Sequence, residues 1–332
     1  MPHQIVNWMD ISSSFRDGII LGNGASISID PSFSYGSLKQ HATDHGLLTN
    51  NVQRLFTFFD THDFELILRL VWQARNVNSA LLIQDQQTRL AYEHVRDCLI
   101  RAVQSIHPEY FQVQDQFPKI ANFLSQFDTV LSLNYDLTLY WMIMYANRIF
   151  NGHSFKDCIL HRQFDADWER FRKPYSAWDQ KTTLVFYPHG SLVLARDLLE
   201  REFKLETNDG SDLLRSILTH WQSSRVIPLF VSEGTSLQKM NAIKNSHYLN
   251  TVYREVIPKI GNSLTIFGWG IGEHDIHILK RLQQSNVTRV AVSVFKNDNA
   301  FCNRVAQMIS DNIGSNVEVI FYDSESLGCW NR

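Results

Sequence analysis

The chain has little cysteine, little charge and no long apolar run, and each shortage excludes a class of protein. Its 332 residues hold four cysteines, Cys98, Cys158, Cys302 and Cys329, scattered without a CxxC pair. Neither a zinc ribbon nor a thioredoxin-like redox motif is available, and a reducing cytoplasm is the expected compartment. Charged residues are 20% of the chain, and 31 Lys plus Arg nearly balance 34 Asp plus Glu, for a net charge of −3. Without a basic excess, binding to nucleic acid by nonspecific attraction is not expected. No stretch approaches the roughly 18 apolar residues of a membrane span. The opening MPHQIVNWMD has neither a basic n-region nor an apolar h-region, so no secretory signal is expected. Repeats, low-complexity tracts and long charge runs are absent from the sequence.

What is present is material for a large core: 44% hydrophobic residues, with 21 Phe and 8 Trp. Apolar runs at 18–21, 128–133, 182–187, 225–231, 263–268, 288–295 and 316–322 predict strands. Most are rich in Val, Ile, Leu and Phe with little alternation, as in parallel strands covered on both faces. Between them lie stripes at helical spacing: Leu214, Ile217, Leu218 and Trp221; Leu249, Val252, Tyr253, Val256, Ile257 and Ile260; Phe301, Val305, Met308 and Ile309. From residue 225 onward, strand and helix alternate. The expected fold class is α/β, a Rossmann-like doubly wound, mainly parallel sheet.

The front half departs from that rhythm. About 100 residues separate the first strand from the second, and they carry helical stripes (Val52, Leu55, Phe56, Phe59; Phe64, Ile67, Leu68, Val71; Tyr92, Val95, Leu99, Ala102). Residues 31–127 are read as a helical insertion, and 151–181, with Trp168, Phe171, Tyr175 and Trp178, as a second, smaller one. No Pro/Gly/Ser linker divides the chain, so residues 1–332 are read as a single nucleotide-fold domain.

Ligands of open α/β sheets bind beyond the carboxyl ends of the strands. The first strand is followed by Gly22-Asn23-Gly24-Ala25-Ser26, either a tight turn or a loop that approaches a phosphate closely; Ile27 stands where a third dinucleotide-motif glycine would be. The second is followed by Asn134-Tyr135-Asp136, where Asp136 is a helix cap or a ligand group. The third leads to Pro188-His189-Gly190, with His189 either structural or turned to a cleft. The fourth leads to Ser232-Glu233-Gly234 with Lys239 close behind, and the fifth to Gly268-Trp269-Gly270-Ile271-Gly272 with Asp275. The clusters around His41 and His45, and around His274 and His277, lack the HExxH pattern and cysteine partners, so no metal is expected.

Taken in order at successive strand ends, Gly22-Asn23-Gly24-Ala25-Ser26, Asn134-Tyr135-Asp136, His189-Gly190 and Gly268-Trp269-Gly270 with Asp275 resemble the SIR2-like (sirtuin) nucleotide fold. More narrowly, the chain is similar to the SIR2-like effector subunits of bacterial anti-phage defence, those of the Kongming type above all. Protein-deacylase sirtuins carry a four-cysteine zinc module that this chain cannot build, and Leu133 and Trp269 stand where the family commonly has Gln and Ser or Thr. The resemblance implies an NAD+ glycohydrolase that yields nicotinamide and ADP-ribose. It implies that Asp136 binds the carboxamide, that Asn134 positions the ribose or the attacking water, and that His189 is the base. Gly22, Gly24 and Ser26 would lie along the pyrophosphate, and Gly268 and Gly270 near the adenosine; Asn23, Ser232 and Asp275 complete the implied NAD+ set. An enzyme that depletes its own cell of NAD+ requires regulation. The implied partner is a HAM1-like nucleotide-sensing subunit responsive to a modified purine deoxynucleotide, with homo-oligomerisation as a further expectation. The alternatives are a non-catalytic nucleotide-binding sensor or scaffold and, remotely, a protein deacylase.

Overall fold

A computed structural model describes residues 3–150, 152–173, 181–207, 210–231 and 233–332. Thirteen strands occur among them: β1 (Ile5–Val6), β2 (Gly18–Leu21), β3 (Thr129–Ser132), β4 (His153–Lys156), β5 (Ile159–Leu160), β6 (Gln163–Phe164), β7 (Lys181–Phe186), β8 (Gly190–Asp197), β9 (Glu202–Lys204), β10 (Val226–Phe230), β11 (Ser263–Phe267), β12 (Arg289–Val294) and β13 (Glu318–Asp323). Eight of them form one sheet in the order β1-β13-β12-β11-β2-β3-β7-β4. Every pairing in it is parallel. Helices flank the sheet, and the fold is α/β and Rossmann-like, with helical insertions.

The central strands have the sequences that such a position demands. Every residue of β2 (GIIL), β3 (TVLS) and β11 (SLTIF) is buried, because helices or insertions cover both faces. Register then places the site. Leu21 pairs with Ser132 on one side and with Phe267 on the other, so β11, β2 and β3 end level. The chain leaves β2 for β3 on one side, and later returns on the other side through β11. The crevice where the winding reverses is the usual ligand position in such sheets.

One strand differs from its expected place. The run at 225–231 does not join the parallel sheet. As β10 it pairs antiparallel with β8, in a separate three-stranded sheet of order β10-β8-β9. Pro228 supplies the physical reason: a residue without an N–H suits an edge strand, and the register shifts between Pro228 and Leu229. The strands β1, β4, β5, β6, β8 and β9 lie outside the runs read from the sequence.

The long insertion is helical, with helices Leu38–Asp44, Asn50–Phe58, Phe64–Ala80, Gln86–Ile106, Tyr110–Val113 and Phe117–Leu124. Side-chain caps start four of them: Ser37, Thr49, Asp63 and Asp85 each accept a first-turn backbone N–H. The helices Phe64–Ala80 and Gln86–Ile106 pack on each other, on β10 and on helix Leu213–Gln222. Trp72 Nε1 donates to the Ser224 carbonyl at 3.0 Å. The expected stripes are buried, apart from Leu55 and the exposed Phe59. One contiguous apolar core runs through insertion and sheet together. Of the second insertion, Trp168 and Phe171 are buried, while Tyr175 and Trp178 lie outside the described residues. Among the described residues, no helix is long and apolar enough to cross a membrane.

Candidate functional site

A cleft of about 830 Å³ opens at the carboxyl ends of β2, β3, β7, β10 and β11. Its walls include Gly22, Asn23, Asn134, Asp136, His189, Gly270 and Asp275, so seven of the eleven residues of the implied NAD+ site meet there. The insertion supplies an opposing wall through Phe33, Tyr35, Ser37, Asp60, Thr61 and His62. Gly24, Ser26 and Gly268 stand behind the cleft surface, and Ser232 lies outside the described residues.

The two glycine loops fit into each other. The Gly24 N–H donates to the Gly268 carbonyl at 2.7 Å, and the Gly22 N–H donates to Phe267 O at 3.0 Å. A Cβ on Gly24 would lie 2.8 Å from Gly268 Cα. Gly268 itself has φ +65°, and a Cβ there would meet Ala25 N at 2.3 Å. These glycines therefore permit close approach of backbone to backbone. The Gly22 and Gly24 amides are committed to Phe267 and Gly268, and the Gly268 amide donates to Ser293 Oγ at 2.9 Å. By contrast, a Cβ on Gly270 would meet nothing within 4 Å, so this residue fronts open space.

The middle loop is braced from within. Asn134 Nδ2 donates to Gly22 O at 2.9 Å and to Ser26 Oγ at 2.8 Å. Ser26 Oγ donates in turn to Asp136 Oδ2 at 2.5 Å. Asp136 Oδ1 accepts the Thr138 N–H at 2.9 Å and braces the turn into helix Thr138–Ile149, but the N-cap position is Leu137, so Asp136 is not the side-chain cap expected from the sequence. Ser26 thus acts on the site through Asn134 and Asp136. His107 of the insertion holds the same loop: its Nε2 accepts the Leu137 N–H at 2.9 Å, so Nδ1 carries the proton and donates to Pro108 O. Burial keeps this imidazole neutral by lowering its pKa. The Tyr35 and Tyr135 hydroxyls are hydrogen-bonded across the cleft, and Tyr135 stacks on Phe230 at 4.9 Å between centroids. Burial raises both phenols, which act as neutral groups.

His189 sits on a turn between β7 and β8. Gly190 at φ +77° lets the chain reverse, and a Cβ there would strike Leu229 O at 2.3 Å. The His189 side chain is buried, with Nε2 3.0 Å from His277 Nε2 and 4.0 Å from Asp275 Oδ1. Burial first, and the Lys239 charge second, lower the His189 pKa well below the ordinary value, against the pull of Asp275. Asp275 makes no helix-cap bond. Its Oδ1 accepts Lys239 Nζ at 2.7 Å, and its Oδ2 accepts Trp269 Nε1 at 3.3 Å. Burial opposes its ionisation, but the surrounding positive groups, led by His189 and Lys239, hold the carboxyl well below the usual range. Since His189 is neutral near pH 7, Lys239 is the permanent partner.

Glu233 is a titratable group to which no role was attached from sequence. Its Oε1 accepts the backbone N–H groups of Leu38 and Lys39, tying the insertion to the β10 loop. Burial pushes its pKa up to about 7, with these hydrogen bonds pulling the other way. Arg304 is the cationic group near Gly270, donating to Gly270 O at 3.1 Å and Ile271 O at 3.0 Å. No sequence signal marked Arg304, Tyr35 or His107.

His189, Asp275 and His277 bring ligand atoms within 4.8 Å of one another, a spacing that can hold a metal ion. A cation there would have to displace the Lys239 ammonium from Asp275 and break the hydrogen bond between the imidazoles. The cluster carries its own positive charge.

Fold and cleft together define a Rossmann-like α/β protein with a polar cleft at its strand ends. The family model described as Domain of unknown function (DUF4917) matches residues 19–330, and the chain belongs to that family. No curated protein matches it.

Proposed function

We propose that the cleft binds NAD+ and hydrolyses its nicotinamide–ribose bond. The observation that supports this reading most is the convergence of Asn134, Asp136 and His189 beside the glycine loops of β2 and β11, at the point where the sheet reverses its winding. The cleft volume suits a ligand of this size.

In this reading the pyrophosphate runs past Gly22, Asn23 and Gly270, with Arg304 supplying positive charge. Asp136 Oδ1 is filled by Thr138, and Oδ2, which accepts from Ser26 Oγ, keeps one lone pair for a carboxamide N–H. Asn134 Nδ2 is used within the protein, so Oδ1 is the atom that accepts from a ribose hydroxyl or the attacking water. The C1′–N bond breaks and its electron pair passes to the nicotinamide ring nitrogen, discharging the pyridinium. The water oxygen bonds to C1′, and its proton goes to His189 and then to solvent. The products are nicotinamide, ADP-ribose and a proton.

The same reading makes the chain a regulated effector of anti-phage defence, switched by a HAM1-like nucleotide-sensing subunit or by self-assembly. The insertion wall formed by Tyr35, Ser37 and residues 60–62 supports it, because a shift of that wall would reshape the cleft. Hydrogen exchange with and without NAD+ tests the binding step. Protection is expected at residues 22–24, 134–136 and 268–272. A chain protected nowhere near the cleft at millimolar NAD+ would contradict the proposal. A chain protected there that never releases nicotinamide is a nucleotide-binding sensor instead.

A further inference from the structure

Behind the cleft surface His277 makes a contact that the hydrolytic reading does not use. Its Nε2 lies 3.0 Å from His189 Nε2, and its Nδ1 lies 3.2 Å from Ser236 Oγ. Both rings are buried. We propose that His277 is the positioning residue that fixes the tautomer of His189, leaving His189 Nδ1 as the basic atom for the cleft; this rests on the reading of His189 as the base.

Two neutral imidazoles joined Nε2 to Nε2 share one proton. If His277 donates it, His189 must carry its own proton on Nδ1 and has no lone pair to offer a substrate. If His189 donates it, Nδ1 is free to accept. The lone pair of His277 Nε2 holds the second arrangement, and Asp275 biases the pair toward it. Its Oδ1 stands 4.0 Å from His189 Nε2, and a carboxylate favours the tautomer that turns N–H toward it. His277 then holds its proton on Nδ1 and donates to Ser236 Oγ, a hydroxyl able to accept. The other titratable groups around the pair are Lys239, held by Asp275, and His274, at 3.5 Å from Asp275 Oδ2. Tyr253 completes the support by donating its hydroxyl to the His277 carbonyl at 3.2 Å. Burial also lowers the His277 pKa to about 4, so the ring is a neutral acceptor at neutral pH.

Two-bond ¹H–¹⁵N correlation spectra of the full chain test this, with the His189 signals identified by their loss in His189→Gln. In wild type, His189 is expected with Nε2 protonated and Nδ1 bare. His277→Gln, whose amide oxygen still accepts, should keep that tautomer. His277→Leu should give a mixture. Nicotinamide release should follow: His277→Leu loses about 100-fold in kcat with little change in KM, and His277→Gln recovers most of it. A wild-type His189 protonated on Nδ1 would overturn the inference, as would a folded His277→Leu that keeps tautomer and turnover. Should Leu fail to fold, the wild-type and Gln spectra still decide. A chain with the expected tautomer but no nicotinamide release contradicts the hydrolytic reading and leaves the tautomer assignment standing.

Discussion

Lys239 Nζ lies 2.7 Å from Asp275 Oδ1, and both side chains are almost wholly buried. A buried pair is worth little when compared with apolar packing, but removing one partner strands the other charge. Lys239→Met should therefore destabilise the protein by about 3–5 kcal/mol in thermal or chemical unfolding. The same change leaves His189, Asp275 and His277 without their competing cation. The variant should gain thermal stability with added Zn²⁺ while wild type does not, and wild type should contain no stoichiometric zinc by elemental analysis. Stoichiometric zinc in wild type never exposed to an affinity resin would show that the triad is a metal centre in spite of Lys239.

The glycines divide by what a side chain would meet. Gly24→Ala should lower stability, because its Cβ meets Gly268 backbone at 2.8 Å. Gly270→Val should leave the unfolding midpoint near wild type and weaken NAD+ binding, since its side chain would extend into the open cleft. Calorimetric titration and thermal unfolding of both variants distinguish these effects. Equal loss of stability in the two would remove the distinction.

Glu233 makes stability depend on pH with a definite sign. The unfolded carboxyl ionises near 4.5 and the folded one near 7, so the folded chain holds more protons between these values. Stability from this group falls as pH rises from 4.5 to 7 and is level above. The ceiling on the effect is roughly 3 kcal/mol. Glu233→Gln removes the ionisation and keeps an acceptor for Leu38 and Lys39. Its melting temperature minus that of wild type should grow across that window. A difference that stays constant with pH would place the Glu233 pKa at its ordinary value.

The two groups assigned to the reaction should also show structural costs. The sequence places His189 at a strand end outside the core stripes, where truncation is expected to leave folding unaffected. The residue is in fact 2% exposed and its side chain is bonded to His277, so His189→Ala should cost about 1–3 kcal/mol as well as at least about 100-fold in turnover. Asn134→Ala loses two donors to Gly22 and Ser26 and should cost a similar amount, with kcat falling more than NAD+ affinity. Collapse of affinity with kcat preserved at saturation would make Asn134 a binding residue.

Strands buried on both faces were legible because their composition is uniform: β2, β3, β7, β11 and β12 fall within about two residues of the apolar runs, as does the partly exposed β13. The strand β8 was not, since the turn at His189-Gly190 masks where it begins, and the two residues of β1 are too few to show a pattern. Reading each strand end brought seven of the eleven implied site residues to one cleft. The pairings inside the cleft were out of reach, because the fold joins residues distant in sequence: Lys239 with Asp275 across 36 positions, His189 with His277 across 88, Tyr35 with Tyr135 across 100. The His274-Asp275-Ile276-His277 cluster was visible as letters, and only the sheet brings His189 to it.

The most direct test is to incubate the purified chain with NAD+, alone and with a HAM1-like subunit plus a modified purine deoxynucleotide, and to follow nicotinamide by chromatography. The account predicts nicotinamide and ADP-ribose in equal amounts from wild type in at least one mixture, and none above background from His189→Ala in any. NAD+ left intact by wild type in every mixture, or cleaved equally by His189→Ala, would contradict it.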